Sequence, residues 1–193
     1  MEYEHLLLFC GVAVATWFLG VYYWPLLILR IYKRAILVKG FGEGPVPVNT
    51  LYTQPQKLFG EPIASQSAPG SKLKTTGVNH DTLLTVGWLD LKKGPQILRV
   101  PDMAGRYYSV QFNDPSKNAN FAYVGKRTTG TDAGDYLIVR PGWKGAAPEG
   151  MPRISSPNNS VLVIGRVLVE SDSDLPTAYA LARQIELIPL AGR

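Results

Sequence analysis

The sequence predicts a mainly β protein, in which a single N-terminal transmembrane helix precedes a small β-barrel or β-sandwich domain with one C-terminal helix. Residues 6–29 carry no charge. Short apolar segments recur at a spacing of roughly ten residues through the second half of the chain. Gly (19) and Pro (15) are abundant, which favours strands and turns over a helical bundle. We divide the chain into an anchor with a basic juxtamembrane segment, residues 1–39, and a β-rich domain, residues 40–193.

Composition excludes several classes of protein. Of the 193 residues, 46% are hydrophobic and 18% are charged, so the chain has enough apolar surface to offset the entropy of folding and is not mainly disordered. A single cysteine excludes a disulfide framework, and together with two histidines it argues against a Cys- or His-rich metal site. No metal and no cofactor are therefore expected.

The uncharged run over residues 6–29 predicts the membrane anchor. A helix crosses the hydrocarbon core of about 30 Å with about 20 residues, so the run is long enough. A buried core helix and a cleaved signal peptide are the alternatives, but the run is apolar on all faces and no small-residue cleavage site follows it. Trp17, Tyr22, Tyr23 and Trp24 crowd its second half. We predict that they lie at the membrane interface or contact another membrane protein.

A basic segment follows the run and predicts the orientation. Arg30, Lys33, Arg34 and Lys39 lie within ten residues, whereas two glutamates and no Lys or Arg precede the run. These four side chains are expected at the membrane surface, and the positive-inside rule places the domain in the cytoplasm, on the inner membrane of the cell. A periplasmic domain is the alternative. Beyond residue 39 the charges nearly balance and no nucleic-acid motif occurs, so no nucleic-acid partner is expected.

The domain pattern predicts its elements in order. A Gly/Pro-rich hinge comes first, and a helix that Ser173 caps and Pro189 ends comes last. In one strand Tyr108, Val110 and Phe112 face the same way. The final strand carries aliphatic side chains on both faces, which indicates a central strand. The hinge is predicted at residues 40–47, and the strands at 83–91, 96–100, 106–113, 120–127, 135–140 and 160–170.

An ordered series of motifs resembles a known family. The motifs include Asn79-His80-Asp81-Thr82-Leu83, Trp88-Leu89-Asp90-Leu91, Gly105-Arg106-Tyr107-Tyr108-Ser109-Val110-Gln111 and Pro141-Gly142-Trp143-Lys144-Gly145. From about Pro45 to Leu190, the chain is similar to domain-of-unknown-function family 1254. The resemblance implies a β-rich bacterial domain with no firmly attached enzymatic activity. Members are often exported, which conflicts with the orientation from charge.

The same resemblance suggests a partner. Many members of the family carry a second, jelly-roll-like domain after this one in the same chain. The sequence stops before such a domain, so a separate chain that carries it is an expected partner. Other membrane-protein subunits and the lipid bilayer are the remaining expected partners.

Five side chains are candidates for binding a ligand. Asn79 and Asp81 precede a strand, where Asp81 is a possible base or ligand; the alternative is a turn in which both side chains bond nearby backbone. Arg106 with Tyr107 and Tyr108 could hold a carboxylate or an aromatic ligand, or one tyrosine could lie in the core.

Trp143 is a candidate for binding a partner protein. Trp143 lies in a Gly-rich loop, as an exposed partner anchor or as a plug over one end of the domain. No catalytic residue is assigned, since no Gly-x-Ser-x-Gly motif occurs and Cys10 lies in the apolar run. We expect a non-catalytic single-pass membrane protein whose β domain binds another protein, as an accessory or stabilising subunit of a larger membrane assembly. The alternative is a membrane-tethered domain that binds or converts a small ligand.

Overall fold

A computed structural model describes residues 2–40, 44–59, 81–117 and 119–190, in which one long helix precedes a β-rich domain with two sheets and a C-terminal helix. Short 3-10 turns also occur, one of them at Asp172–Asp174. The helices and strands are α1 Glu2–Lys39, β1 Leu51–Thr53, β2 Thr82–Asp90, β3 Gln96–Val100, β4 Tyr108–Asp114, β5 Ala119–Gly125, β6 Gly134–Val139, β7 Arg153–Ser155, β8 Ser160–Leu168, α2 Leu175–Gln184 and β9 Glu186–Pro189.

The strands form an antiparallel five-stranded sheet and a mixed four-stranded sheet. The order is β1-β2-β8-β4-β5 in the first and β7-β6-β3-β9 in the second, where β6 and β7 run parallel. Neither sheet closes into a barrel within the described ranges. The prediction of a mainly β domain behind an N-terminal apolar helix is confirmed at this level.

Both sheets contribute to one hydrophobic core. Leu83, Val110 and Val163 reach it from the five-stranded sheet, and Leu98 and Ile138 reach it from the four-stranded sheet. The helix α2 covers one side through small side chains that are fully buried. These are Ala178 and Ala182.

Several predictions from periodicity are confirmed. Tyr108, Val110 and Phe112 are all fully buried, as alternation along β4 predicted. The strand with apolar side chains on both faces is β8, which lies between β2 and β4 at the centre of its sheet. Both predicted ends of the last helix are wrong. Ser173 lies inside a 3-10 turn and Asp174 immediately precedes α2. The helix ends at Gln184, and Pro189 belongs to the strand β9 that follows it.

The helix α1 runs without interruption from the apolar run through the basic segment. It ends at Gly40, which adopts a left-handed φ of 62° and donates its amide to the carbonyls of Ala35 and Ile36. Val46 then donates its amide to the same Ile36 carbonyl, at 3.2 Å. Residues 41–43 of the predicted hinge lie outside the described ranges, and the segment after them returns to the end of α1.

Candidate functional site

The last turns of α1 pack on the outer face of the five-stranded sheet. Ile36 is 1% exposed and lies in a small apolar cluster with Val86, Trp88 and Leu162. Val46 completes the buried part of this cluster. In β2, Val86 and Trp88 face this cluster and Leu83 and Leu89 face the main core, and nearly every residue of the strand is buried. We call this contact the junction.

Polar contacts add to the junction. The Lys33 ammonium donates to the Ser160 hydroxyl at 2.9 Å, and the Trp88 indole donates to the same oxygen at 2.7 Å. The Lys33 nitrogen also lies 5.0 Å from the centroid of the Trp88 ring, within cation–π range. The single side chain of Ser160 therefore joins α1 to β2 at the start of β8.

A cavity of about 290 Å³ lies beside these contacts, between α1 and the domain. Two basic side chains and two leucines of α1 line one wall, and short polar side chains line much of the other. The lining residues are Leu26, Leu29, Arg30, Lys33, Trp88, Pro115, Ser116, Asn158 and Ser160.

The rest of α1 makes no such contacts. Trp17, Tyr22, Tyr23 and Trp24 are each more than half exposed, and so are most of the apolar side chains before them. The helix is long and apolar enough to cross a membrane, with none of its most apolar window buried. The basic side chains differ among themselves, since Arg30, Arg34 and Lys39 are exposed, whereas Lys33 is partly buried.

Arg106 takes part in an ion pair inside the domain. Its Nη2 donates to Asp174 Oδ1 at 2.7 Å and its Nη1 donates to Asp174 Oδ2, so the pair is bidentate. Nη1 also donates to the Leu168 carbonyl at 2.8 Å. The hydrogen bonds between the two side chains raise the pKa of Arg106 and lower the pKa of Asp174. The pair therefore links the residue that precedes α2 to the end of β8.

The other predicted ligand residues are distributed over different surroundings. Asp81 is exposed, and its carbonyl accepts from Val169 at 2.8 Å. Tyr108 lies in the core, where burial raises its pKa. Asn79 lies outside the described residues.

Tyr107 and Tyr108, two of the predicted ligand residues, both line one groove. The groove has a volume of about 270 Å³ and lies on the outer face of the five-stranded sheet, at the end away from the junction. Arg127 places its guanidinium carbon 5.4 Å from the centroid of the Tyr107 ring. Arg166 and Tyr123 also line the groove, and both side chains are exposed. Its two arginines favour an anionic ligand.

Trp143 packs within its own loop. A Cβ added at Gly145 would clash with the Trp143 ring, so the ring lies directly against that glycine. The side chain is partly buried rather than fully exposed. Among the described residues, no group of three His, Cys, Asp or Glu side chains could hold a metal ion.

The residues of the domain that contact α1 were not among the predicted site residues. From the sequence, Trp88 was recognised only as part of a family motif and Ser160 only as the start of a predicted strand. The available signal was the strand pattern of β2, because apolar side chains on both of its faces require a second covering layer.

Comparison with known proteins identifies one family. Residues 61–189, or 129 of the 193 residues, match the family described as "Protein of unknown function (DUF1254)". No curated protein matches the chain. The crystal structure of the VPA0106 protein from Vibrio parahaemolyticus is similar, with a TM-score of 0.58 and 27% identity. The match covers 75% of this chain and 31% of that protein, so this chain corresponds to about a third of the Vibrio protein's length.

Proposed function

We propose a function from the premise that the chain belongs to the DUF1254 family of proteins of unknown function. In this proposal it is a non-catalytic single-pass membrane protein whose β domain binds another protein. It acts as an accessory or stabilising subunit of a larger membrane assembly. The domain lies in the cytoplasm, as the basic segment after the span favours.

The packing of the anchor against the domain is the observation that carries the proposal. A tether would need no contact between a membrane helix and the domain that it holds. Here Ile36 is 1% exposed, and Lys33 and Trp88 share the hydroxyl of Ser160. With α1 across a bilayer, this packing would hold the domain at one height and angle above it, which suits a subunit that must meet a membrane partner in a fixed geometry.

The exposed aromatic side chains of α1 supply a contact surface within the membrane. Trp17 and Trp24 are 64% and 63% exposed, and Tyr22 and Tyr23 are 68% and 57% exposed. Aromatic rings are enriched at protein interfaces and also at the membrane–water boundary. A partner helix against these rings would bury them without disturbing the domain.

The edge strand β5 supplies a contact surface on the domain. It has seven residues and no charged side chain, and such an edge is a template for another strand. Lys126 donates its amide to the Tyr108 carbonyl, so by antiparallel alternation the Tyr123 amide points away from β4. Thr128 donates its hydroxyl to the Tyr123 carbonyl and Thr129 accepts from the Gly125 amide, which covers the end of the edge.

The partner that we propose is a chain that carries the second domain of longer family members. The Vibrio protein continues far beyond the part that this chain matches, since that part is 31% of its length. A strand from such a partner could pair with β5. Of the two predicted architectures, we propose the sandwich, because side chains of both sheets share one core.

Purification of the full-length chain from its native membranes in mild detergent tests the proposal. We expect a stoichiometric membrane protein to accompany it. Replacing Trp17, Tyr22, Tyr23 and Trp24 together by leucine keeps the span apolar and should remove that protein. The matched control replaces Phe9 and Phe18, which are 71% and 61% exposed, by leucine and should retain it. Recovery of a lone monomer from cross-linked membranes would contradict the proposal.

A pair of variants at one position tests the edge strand. Tyr123→Pro removes the outward amide without touching the ladder to β4, whereas Tyr123→Thr removes the ring and keeps the amide. Strand pairing predicts that the proline variant loses the partner and the threonine variant keeps it. Equal retention by both variants would show that β5 is not the contact.

The groove beside Tyr107 supports the alternative function, a ligand-binding domain on a membrane anchor. Its cavity of about 270 Å³ is lined by two arginines and three tyrosines, among others, which suits a small aromatic or aliphatic carboxylate. Titration of the purified protein with benzoate, followed by NMR, would test this alternative. We expect shifts centred on the groove that Arg166→Ala removes and Arg153→Ala leaves in place. Uniform, non-saturating shifts would exclude it.

A further inference from the structure

We infer that the cavity at the junction binds the phosphate group of an anionic phospholipid. The inference rests on the part of the proposed function in which α1 crosses the membrane, but it requires no protein partner. The cavity is lined by Arg30, Lys33, Ser160, Leu26 and Leu29, among others. The phosphate group of a phospholipid binds to cations and hydroxyl donors. The acyl chains of the same lipid require an apolar surface on the membrane side.

The position of the cavity agrees with the level of lipid headgroups. Leu26 and Leu29 belong to the last turn of the uncharged run, and Arg30 and Lys33 follow within one helical turn. If residues 6–29 fill the hydrocarbon core, the two cations lie at its boundary, where phosphates are. The leucines then face the acyl chains and the cations face the headgroup.

The hydrogen-bonding state of Ser160 supports an anionic ligand. Its oxygen accepts from both the Lys33 ammonium and the Trp88 indole, at 2.9 Å and 2.7 Å. The hydroxyl proton remains, and no acceptor for it occurs in the described part of the chain. A hydroxyl that accepts two hydrogen bonds and lines a cavity is oriented to donate its third to a ligand. A phosphate oxygen is the acceptor that a basic cavity would select.

The described side chains that line the cavity include two cations and no carboxylate. Lys33 uses one of its three N–H donors on Ser160, and the Arg30 guanidinium is exposed with no partner among the described residues. Two carboxylates lie near these cations: the partly buried Asp90, whose charge acts on Lys33, and the buried Asp114. Neither is in the lining, and Oδ1 of Asp114 already accepts from the Ser116 amide, the Ser116 hydroxyl and the Asn158 side chain. The cations thus face the cavity while both carboxylates lie outside its lining.

The helix provides a matched control for site-specific binding. Arg34 is one residue from Lys33 and carries the same charge, but it is exposed and does not line the cavity. A diffuse attraction to an anionic membrane would depend on both residues alike, at about fivefold in affinity for each cation. A built site depends on Arg30 and Lys33 and much less on Arg34.

Native mass spectrometry of the full-length chain in detergent tests the inference. Phosphatidylglycerol, phosphatidylcholine and inorganic phosphate are titrated separately, and the bound fraction is read from the mass. We expect saturable binding of one phosphatidylglycerol. Lys33→Gln and Arg30→Gln should each weaken it by at least about fivefold, and Arg34→Gln by less than about twofold. Thermal unfolding of each variant shows whether the domain is intact.

Three results would overturn the inference. Equal weakening by all three variants would mean diffuse attraction of the basic segment. Equal binding of phosphatidylcholine would remove the requirement for an anionic lipid. If millimolar inorganic phosphate displaced phosphatidylglycerol and itself stayed bound, the site would be assigned to a soluble anion. Because no partner protein is present, these results are independent of whether the accessory-subunit proposal holds.

Discussion

The two parts of α1 have opposite relations to the rest of the protein. Up to about residue 24 its apolar side chains are exposed on every face, and none is buried by the domain. In its last two turns one face is covered, with Ile36 1% exposed, while Val38 remains 60% exposed. A helix that is apolar all round belongs to lipid or to other helices, whereas a one-sided helix belongs to a protein core. One continuous helix therefore joins a segment that is long and apolar enough to cross a membrane to a segment that packs as part of the domain.

This contrast implies that the junction restricts motion of the domain relative to α1. The helix is continuous from the apolar run to Ile36, so no flexible linker separates the two. Motion of the domain against the anchor would have to break the contacts among Ile36, Trp88 and Leu162.

Removing the buried side chain of the junction should have the largest effect. Ile36→Ala leaves a cavity under the helix and should lower the free energy of domain unfolding by about 2–4 kcal/mol. Val38→Ala is the control on the same helix, and its exposed side chain predicts a change below about 0.5 kcal/mol. Urea unfolding of both proteins in detergent measures the difference. Equal effects would mean that α1 does not pack on the sheet.

A change remote from α1 should destabilise the domain without loosening the junction. Asp174→Asn breaks the bidentate pair with Arg106, whose side chains are 13% and 17% exposed, and leaves a guanidinium without its counter-ion. We expect a loss of about 2 kcal/mol. Asp172→Asn, an exposed position in the same turn, should change little. Hydrogen exchange of residues 30–39 at native pH should stay at the wild-type level in both variants.

Acid should remove the same contribution. The hydrogen bonds from Arg106 lower the pKa of Asp174, so the pair stabilises the folded state above the unfolded value of about 3.9. That stability is lost as the pH falls through the lower pKa of the folded state. The difference in unfolding midpoint between wild type and Asp174→Asn should therefore shrink from pH 5 towards pH 2.5. A difference that stays constant would show that the pair does not titrate as described.

The polar contact of the junction should have the smallest effect. Lys33→Met keeps the aliphatic stem and removes the donor to Ser160, which lies at 2.9 Å. We expect a loss of about 0.5–1 kcal/mol, since the site is only partly buried. Arg34→Met is the control and should be neutral. A larger loss for Arg34 than for Lys33 would place the wrong face of the helix on the domain.

Local pattern was sufficient for much of the fold and insufficient for contacts between distant segments. Alternation placed Tyr108, Val110 and Phe112 in the core, and apolar runs located the central strand β8. The strands β1, β7 and β9 have three or four residues each, which is too few for a periodic signal. They form because a neighbouring strand offers them hydrogen bonds.

The candidate site shows the same limit more sharply. Arg106 is distinctive in the sequence, but its partner Asp174 lies 68 residues away, so nothing local revealed the pair. Lys33 and Ser160 are 127 residues apart, and Lys33 was assigned to the membrane surface by its charge alone. The proposals for Asp81, Tyr107, Trp143 and the aromatic residues of α1 remain predictions.

A distance measurement across the junction tests the central claim most directly. Spin labels are placed at Ile31→Cys on α1 and Ala180→Cys on α2, two exposed positions on helices, with Cys10→Ala to remove the one native thiol. The full-length protein is reconstituted in bilayers, and double electron–electron resonance gives the distribution of distances. A single narrow distribution is the result that a docked anchor predicts. A broad distribution, as from a domain that moves freely on a tether, would contradict it.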